Sequence, residues 1–139
     1  MSELRYLLDT DVCIDLLRMP PEKIPSAIAA LKSENLILSS IVLAELETGV
    51  RKSSRVAVHA KRLRFFAGQI TPAVFDANAS AHYGEIRAHL EQKGTSIGPL
   101  DMLIAAHARS LGARLITGNM REFRRVPDIE CLAWKPRGQ

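Results

Sequence analysis

Short apolar runs alternate along this chain with longer segments of helical pattern, and this alternation restricts the possible folds more than any other feature. Apolar residues bounded by turn formers predict strands at residues 4–8, 36–38, 69–75, 114–117 and 129–132. Helix formers with N-capping residues before them and Gly or Pro after them predict helices at residues 10–18, 26–32, 40–48, 55–66, 77–92 and 99–111. Strands separated by helices favour an α/β fold, in which helices cover both faces of a mostly parallel sheet.

The chain is short enough to form a single domain. Its 139 residues contain no Gly/Ser linker, low-complexity tract or internal repeat, so we predict one domain over residues 1–139. Cys13 and Cys131 are too few and too far apart for a disulfide framework or a clustered zinc site. No apolar run approaches the roughly 20 residues that span a bilayer, and the first residues lack a signal-peptide pattern. We therefore expect a soluble, cytoplasmic protein.

Polar residues follow two of the predicted strands. Asp9 comes directly after the first strand, Thr117 ends the strand at 114–117, and Asn119 lies two residues further on. In parallel α/β sheets, ligands bind outside the carboxyl ends of the strands, so these positions are candidates for a site. Capping of the next helix explains Asp9 equally well, and an ordinary turn explains Thr117 and Asn119.

Two further carboxylates lie on apolar faces of predicted helices. Glu45 shares a helical face with Val42, and Gly49, one turn further on, leaves room for another group to approach the carboxylate. Asp101 enters the helix at 99–111 in its first turn, on the same stripe as small and apolar residues. An ion pair with an arginine is the ordinary alternative for Glu45, and a favourable contact with the helix dipole is the alternative for Asp101.

Convergence of the three acids would need a compensating positive charge. If Asp9, Glu45 and Asp101 met, each pair at about 4 Å would repel by roughly 4 kcal/mol at an effective dielectric constant of 20. The three pairs together would rival the 5–15 kcal/mol by which a whole domain is stable. Such a cluster therefore requires raised pKa values or a divalent cation, and all-oxygen ligands favour Mg²⁺ or Mn²⁺ over Zn²⁺.

Four segments carry these residues, in the following order: Leu7-Leu8-Asp9-Thr10-Asp11; Ala44-Glu45-Leu46 with Gly49; Ile97-Gly98-Pro99-Leu100-Asp101 running into Ile104-Ala105-Ala106-His107-Ala108; and Thr117-Gly118-Asn119 followed by Glu122-Phe123. Together, over essentially the whole chain, they resemble the PIN-domain nucleases, and among these the VapC toxins of bacterial toxin–antitoxin pairs. The resemblance implies a three-layer α/β/α domain. It also implies that Asp9, Glu45 and Asp101 are catalytic metal ligands and that Asn119 stands at the position of a fourth polar catalytic residue.

Two positions depart from the pattern of the family. The family commonly has Asn where Asp11 stands, and Asn often occupies the place of Gly118. Both departures leave the three acids intact, but they put the roles of Asp11 and of the Thr117 loop in question. By resemblance, Thr10, Asp11 and Thr117 are expected to support the site.

The resemblance implies a function as well. It predicts a Mg²⁺-dependent endoribonuclease toxin, with Mn²⁺ as an alternative cofactor, that hydrolyses RNA phosphodiester bonds and so inhibits translation. The segments at 84–90, 93–94, 98–99 and 121–126 most resemble the branch that acts on initiator tRNA, which places the cut in the anticodon stem-loop. The implied partners are a tRNA substrate, a neutralising VapB-like antitoxin and a second copy of the chain in a homodimer.

Basic residues offer two candidate contacts for RNA. The net charge of +4 allows a polyanionic partner without requiring one. One candidate is a stripe that would form if residues 51–62 were one continuous helix, and the other is a cluster beside Asn119. The stripe comprises Arg51, Arg55 and Arg62 with His59, and the cluster comprises Arg121, Arg124 and Arg125. Solvated basic faces are the alternative for both.

Two other functions remain open from the residues alone. A haloacid-dehalogenase-like phosphatase also carries an Asp-x-Asp motif after a strand, as at Asp9 and Asp11, but it would leave Glu45 and Asp101 unexplained. A non-catalytic module that binds RNA or an antitoxin is the second alternative, since Asn119 replaces an acid that is common in the family. The three retained acids argue against it.

Overall fold

A computed structural model describes residues 4–135, and within them the strands form one parallel sheet. The strands are β1 (Tyr6–Leu8), β2 (Leu36–Ser39), β3 (Thr71–Ala73), β4 (Arg114–Thr117) and β5 (Cys131–Ala133). Their order across the sheet is β3-β2-β1-β4-β5. The predicted α/β class is confirmed, and β3, which contains Pro72, occupies the edge position that its proline favours.

Helices connect the strands and cover the sheet. They are α1 (Thr10–Arg18), α2 (Ser26–Ala29), α3 (Ser40–Lys52), α4 (Val56–Ala67), α5 (Ala77–Gln92), α6 (Pro99–Ser110) and α7 (Met120–Phe123). α1 packs against α3 and α4, and α5 packs against α6. Because crossovers between parallel strands are right-handed, the outward connections from β1 to β3 and the return to β4 place their helices on opposite faces. The layers are therefore α/β/α, as predicted. Among residues 4–135, no helix is long and apolar enough to cross a membrane.

Several element boundaries differ from those predicted. β1 is shorter than predicted, and α2 ends at Ala29 rather than at residue 32. α3 continues past Gly49 to Lys52, where Ser53 caps it by donating its N–H to Val50 O. β5 begins two residues late because Asp128 takes a left-handed turn, with φ of 58°. The predicted stops at Gly94 and Gly112 are confirmed, since both glycines have positive φ.

The main element that the sequence pattern failed to predict is α7. We expected a loop after β4, yet residues 120–123 form a short helix. Phe123, which is fully buried, anchors it to the core. This helix fixes the position of Glu122, which lies beside the predicted site.

The sheet changes its direction of growth between β1 and β4. From β1 the chain adds β2 and then β3 on one side, and it later adds β4 and β5 on the other. One backbone hydrogen bond extends the pairing of β1 and β4 past the end of β1: Asp9 N donates to Ile116 O at 2.9 Å. Beneath this point lies a dry core that includes Leu8, Ile104 and Ile116, each fully buried. Such a switch point is where open α/β sheets bind their ligands.

Candidate metal centre

Asp9 lies at the switch point, held on both carboxylate oxygens. Its Oδ1 accepts a hydrogen bond from Thr10 N at 2.8 Å, which caps α1, and its Oδ2 accepts one from Thr117 Oγ1 at 2.7 Å. The side chain is only 5% exposed. Burial raises the pKa of Asp9 to about 6, and the charge of Asp11 adds to the rise, although the two hydrogen bonds oppose it. Asp9 therefore both caps a helix and presents a carboxylate that is costly to ionise.

Glu45 joins Asp9 through a threonine. Thr10 Oγ1 donates to Glu45 Oε1 at 2.7 Å, linking the start of α1 to the middle of α3. Glu45 is half-buried and forms no salt bridge within residues 4–135. The alternative of an arginine ion pair is therefore not observed. Gly49 leaves open space on the same helix, as predicted, since a Cβ there would meet no atom within 4 Å.

Asp101 approaches these acids from the opposite side of the pocket. It lies in the first turn of α6 and is half-buried. Burial raises the pKa of Asp101 to about 7, and a hydrogen bond shared with the Glu122 carboxyl group raises it further, as do the charges of Asp9, Glu122 and Glu45. The helix dipole alone would favour the ionised form. Burial first, and the neighbouring acids second, therefore favour the protonated form at this position.

Asn119 and Glu122 complete this side of the pocket. Asn119 N donates to Thr117 Oγ1 at 2.9 Å, and its side-chain Nδ2 donates to Glu122 Oε2 at 3.0 Å. The amide of Asn119 thus orients Glu122. We did not predict Glu122 as a site residue, although a signal was present. Asn119 and Glu122 have the N-cap to N3 spacing of a helix-starting motif, which would have predicted α7 and the inward turn of Glu122.

Asp11 and Gly118, the two positions that depart from the family pattern, contact each other. A Cβ on Gly118 would lie 2.7 Å from Asp11 Oδ2, closer than such atoms approach. Asp11 is exposed, and its Oδ1 accepts from Val12 N at 2.9 Å. The absence of a side chain at residue 118 therefore leaves room for the Asp11 carboxylate. The two departures form one coupled change at the rim of the pocket.

The structure brings the predicted acids into one pocket, but their side chains do not converge on a single metal position. The charges of Asp9, Glu45 and Glu122 all act on Asp101. None of the four acids forms a salt bridge within the described chain. Yet no three acidic, histidine or cysteine side chains in residues 4–135 are arranged closely enough to hold an ion as they stand. An all-oxygen set of carboxylates, in which Asp9 and Asp101 have raised pKa values, fits a hard dication such as Mg²⁺ or Mn²⁺. Binding would require the carboxylates to move inward and lose protons.

The predicted basic stripe does not form. Residues 53–55 are not helical and separate α3 from α4, so Arg51, Arg55 and Arg62 do not lie on one helix. Arg62 instead lines a groove of about 180 Å³ between α1, α3 and α4, together with His59 and Arg18, and the groove reaches Glu45. Arg51 and Arg55 are exposed.

The second basic cluster lies where it was predicted. Arg121, Arg124 and Arg125 are exposed on α7 and just after it, next to Asn119 and Glu122. In the part of the chain that the structure describes, Arg124 and Arg125 bond only to backbone carbonyls, those of Met120 and Ser96. Within residues 4–135, none of the three forms a salt bridge. Their charges are therefore available to a polyanion beside the acidic pocket.

Comparison with known proteins agrees with this geometry. Residues 6–129 match the model of the PIN domain. The chain is 39% identical to ribonuclease VapC2 of Rickettsia felis over 93% of this chain and 97% of the relative, and 37% identical to the tRNA(fMet)-specific endonuclease VapC of Salmonella typhimurium over 94% and 98%. It also superposes on a chain in the crystal structure of VapBC2 from Rickettsia felis bound to a DNA fragment from their promoter, with a TM-score of 0.88, 36% identity, and 95% and 100% coverage.

The family match covers residues 6–129 and leaves the phosphatase alternative without support. Relatives above 30% identity along nearly their full length carry the assignment beyond the fold. The chain belongs to the PIN-domain family, and within it to the VapC endoribonucleases of toxin–antitoxin systems.

Proposed function

We propose that this chain is a Mg²⁺-dependent endoribonuclease toxin that cuts a tRNA, with initiator tRNA and its anticodon stem-loop as the target. The observation that carries the proposal is the acidic pocket at the switch point, which contains four carboxyl groups and no basic side chain paired with them in the described chain. Such a pocket favours a dication. The tRNA target is supported by the relative named a tRNA(fMet)-specific endonuclease.

Asp9, Glu45 and Asp101 would hold the ion, with Glu122 beside them. When bound, Mg²⁺ would polarise a phosphate oxygen and lower the pKa of a bound water molecule, so that no protein nucleophile would be needed. The chain's own groups orient the ligands. Thr117 and Thr10 fix Asp9 and Glu45 through their hydroxyl groups, and Asn119 directs Glu122 toward Asp101. Asp11 adds negative charge at the rim.

Contacts to the RNA backbone are assigned to the cluster of Arg121, Arg124 and Arg125. Neutralising Arg124 and Arg125 together should weaken tRNA binding and reduce the dependence of log Kd on log salt by about 1–2, because each phosphate contact releases a counterion. Filter binding across a salt titration measures both quantities, with Arg114→Gln, at the opposite end of β4 from Thr117, as a control. An unchanged affinity and slope would remove these arginines from the interface. Arg51, Arg55 and Arg62 are secondary candidates.

The proposed partners follow from the relatives. The chain's structural neighbours include toxins crystallised in VapBC complexes, which supports a VapB-like antitoxin that neutralises this chain. We further propose a homodimer, inhibition of translation as the consequence of cleavage, and action in the cytoplasm, where tRNA is found. Co-expression with the neighbouring reading frame, followed by light scattering, tests the partner and the stoichiometry.

The decisive experiment is cleavage of total tRNA by the purified chain with Mg²⁺, with EDTA as the metal-free control. We expect one cut RNA species, whose ends are mapped by sequencing, and no cut product with EDTA or with Asp9→Asn or Asp101→Asn. Glu47→Gln, an exposed glutamate on α3, is the matched control. Binding of tRNA without any metal-dependent cut would instead favour the non-catalytic module.

A further inference from the structure

A buried hydrogen bond connects the helices that carry Glu45 and Asp101. Ser39 Oγ and His107 Nδ1 lie 2.7 Å apart, and both side chains are almost completely buried. Ser39 ends β2 and caps α3, since its Oγ also accepts from Ile41 N at 3.1 Å. His107 belongs to α6. Within residues 4–135, this is the side-chain hydrogen bond that joins the β2–α3 junction to α6.

The surroundings of His107 hold the ring in one orientation. Its ring packs edge-on against Phe75, with ring centroids 5.4 Å apart. Phe75 is itself tied to the start of α3, because its N–H donates to Ser40 Oγ at 3.0 Å. His107 Nε2 is buried and forms no hydrogen bond. Burial lowers the pKa of His107, whereas the charge of Asp76 and the nearby backbone of Val74 raise it. The contact between Nδ1 and Ser39 is the side-chain hydrogen bond of the ring.

An unpaired ring nitrogen makes histidine an expensive choice for packing alone. A buried donor or acceptor without a good hydrogen bond destabilises the folded state, and an apolar side chain of similar size would avoid this effect. The histidine forms the hydrogen bond between Nδ1 and Ser39, which an apolar residue could not form. The question is which part of the molecule benefits from it.

The geometry of the two helices points to the acidic pocket. Glu45 follows Ser39 by six residues, and Asp101 precedes His107 by six residues, so the backbone position of each acid lies about 9 Å along its helix from that of the hydrogen-bonded residue. α3 and α6 also pack against each other. A shift of one helix relative to the other would therefore change the separation of the two carboxylates directly.

We propose that His107 is a positioning residue, which anchors α6 to the β2–α3 junction through Ser39 and thereby sets the spacing between Glu45 and Asp101 that the metal ion requires. This inference rests on the proposed function, because it concerns the same ion. It adds a role for two residues that do not touch the RNA or the ion. His107 acts only through the helices that it connects.

The test compares variants that remove the hydrogen bond with one that keeps it. His107→Leu fills the space without a polar group, whereas His107→Asn places an amide near the position of Nδ1 and can still bond to Ser39. Ser39→Ala removes the hydroxyl from the other side, and Ser110→Ala, whose hydroxyl bonds within α6, is the matched control. Circular dichroism and the melting temperature show which variants fold.

For His107→Leu we expect kcat on tRNA to fall by about 10–100-fold, the range measured when groups behind metal ligands are removed. KM for tRNA should stay unchanged, and the Kd for Mn²⁺ alone, measured by calorimetry without RNA, should rise by about 10-fold. His107→Asn should recover most of both losses. Ser39→Ala should reproduce them, and the double variant with His107→Leu should be no worse than either alone.

Contrary results separate the two proposals. If the wild-type chain cuts tRNA and binds Mn²⁺, but folded His107→Leu does both equally well, the positioning role is wrong and the proposed function stands. Equal losses in His107→Asn and His107→Leu would also overturn it. If His107→Leu fails to fold, Ser39→Ala and His107→Asn decide the question. A wild-type chain that neither cuts RNA nor binds Mn²⁺ would overturn both proposals.

Discussion

The two sides of the acidic pocket stabilise their carboxylates by different means. On the strand side, Asp9 and Glu45 accept hydrogen bonds from the hydroxyl groups of Thr117 and Thr10 and from a helix N-terminus. On the helix side, Asp101 faces the Glu122 carboxyl group, and the one amide nearby, that of Asn119, is bonded to Glu122. The strand side is supplied with donors, whereas the helix side has two acids and too few donors for both.

This difference indicates where the pocket changes when an ion binds. The strand side is held by short bonds to the ends of β1 and β4, which are part of the rigid core, so it should stay in place. On the helix side, burial and the contact with the Glu122 carboxyl group raise the pKa of Asp101. A dication would favour the ionised form of Asp101 and draw it inward, because the strand side alone does not provide a complete ligand set. We therefore expect the strand side to stay fixed and the helix side to rearrange when an ion binds.

The largest expected effect is the loss of an acid from either side. Asp9→Asn, Glu45→Gln and Asp101→Asn should each lower the rate of tRNA cleavage by at least about 100-fold, since even groups behind metal ligands contribute 10–100-fold. Single-turnover kinetics with Mg²⁺ measure the effect, and Glu47→Gln serves as the control. Full activity after loss of either Asp9 or Asp101 would show that one side of the pocket is dispensable.

The second effect is on the stability of the metal-free protein, and its sign depends on pH. The pKa of Asp101 is about 7 in the folded chain, against 3.8 for an unperturbed Asp. The folded chain therefore binds more protons between these pH values, and its free energy of unfolding falls as pH rises through this window. Asp101→Asn lacks that penalty. In EDTA it should be more stable than wild type at pH 8, by about 1–2 kcal/mol after allowance for the partial exposure of the side chain.

At pH 4 most of this difference should be lost, since Asp101 is protonated there in the folded chain and partly protonated in the unfolded chain. Urea denaturation at the two pH values measures both differences. Added Mg²⁺ should stabilise wild type at pH 8 and not the variant. A wild-type chain that is more stable than Asp101→Asn in EDTA at pH 8 would contradict the raised pKa on the helix side.

A smaller effect is expected from the strand side when its donor is removed. Thr117→Val deletes the hydroxyl that donates to Asp9 and accepts from Asn119 N, so we expect a loss of about 1 kcal/mol in the free energy of unfolding. The pKa of Asp9 should rise further above 6, because this hydrogen bond lowers it. Carbon-13 NMR of the carboxyl groups measures the pKa, and Thr48→Val on the exposed face of α3 is the control. An unchanged Asp9 pKa would show that the donor is unimportant.

The smallest effect concerns the rim, where Gly118 makes room for Asp11. In a double-mutant cycle, Gly118→Ala should be less favourable beside Asp11 than beside Asp11→Ala, by about 0.5–1 kcal/mol. The added methyl group would force the Asp11 side chain to rotate, and Asp11 is exposed enough to do so. Urea denaturation of the four proteins measures the coupling. Additive effects would mean that the two departures from the family pattern are independent.

The sequence predicted the acids better than their neighbours, for a physical reason. Asp9 follows a buried strand, and Glu45 and Asp101 lie on apolar helix faces. Local pattern alone therefore marks them as carboxylates that need a compensating partner. The role of Glu122 depends on α7, which is only one turn long and is stabilised by the burial of Phe123. The orientation of Arg62 depends on the break at residues 53–55, which separates two helices that have no proline between them. Tertiary packing decides both cases.

The most direct test of the central claim is a crystal structure of the chain soaked in Mn²⁺, with the ion located by its anomalous scattering. The account predicts one or more Mn²⁺ ions bound by Asp9, Glu45 and Asp101. The Asp101 carboxylate should be displaced from Glu122, and the bonds from Thr117 and Thr10 should be preserved. Mn²⁺ bound elsewhere, or a pocket in which Asp101 keeps its contact with Glu122 and no ion lies between the three acids, would contradict it.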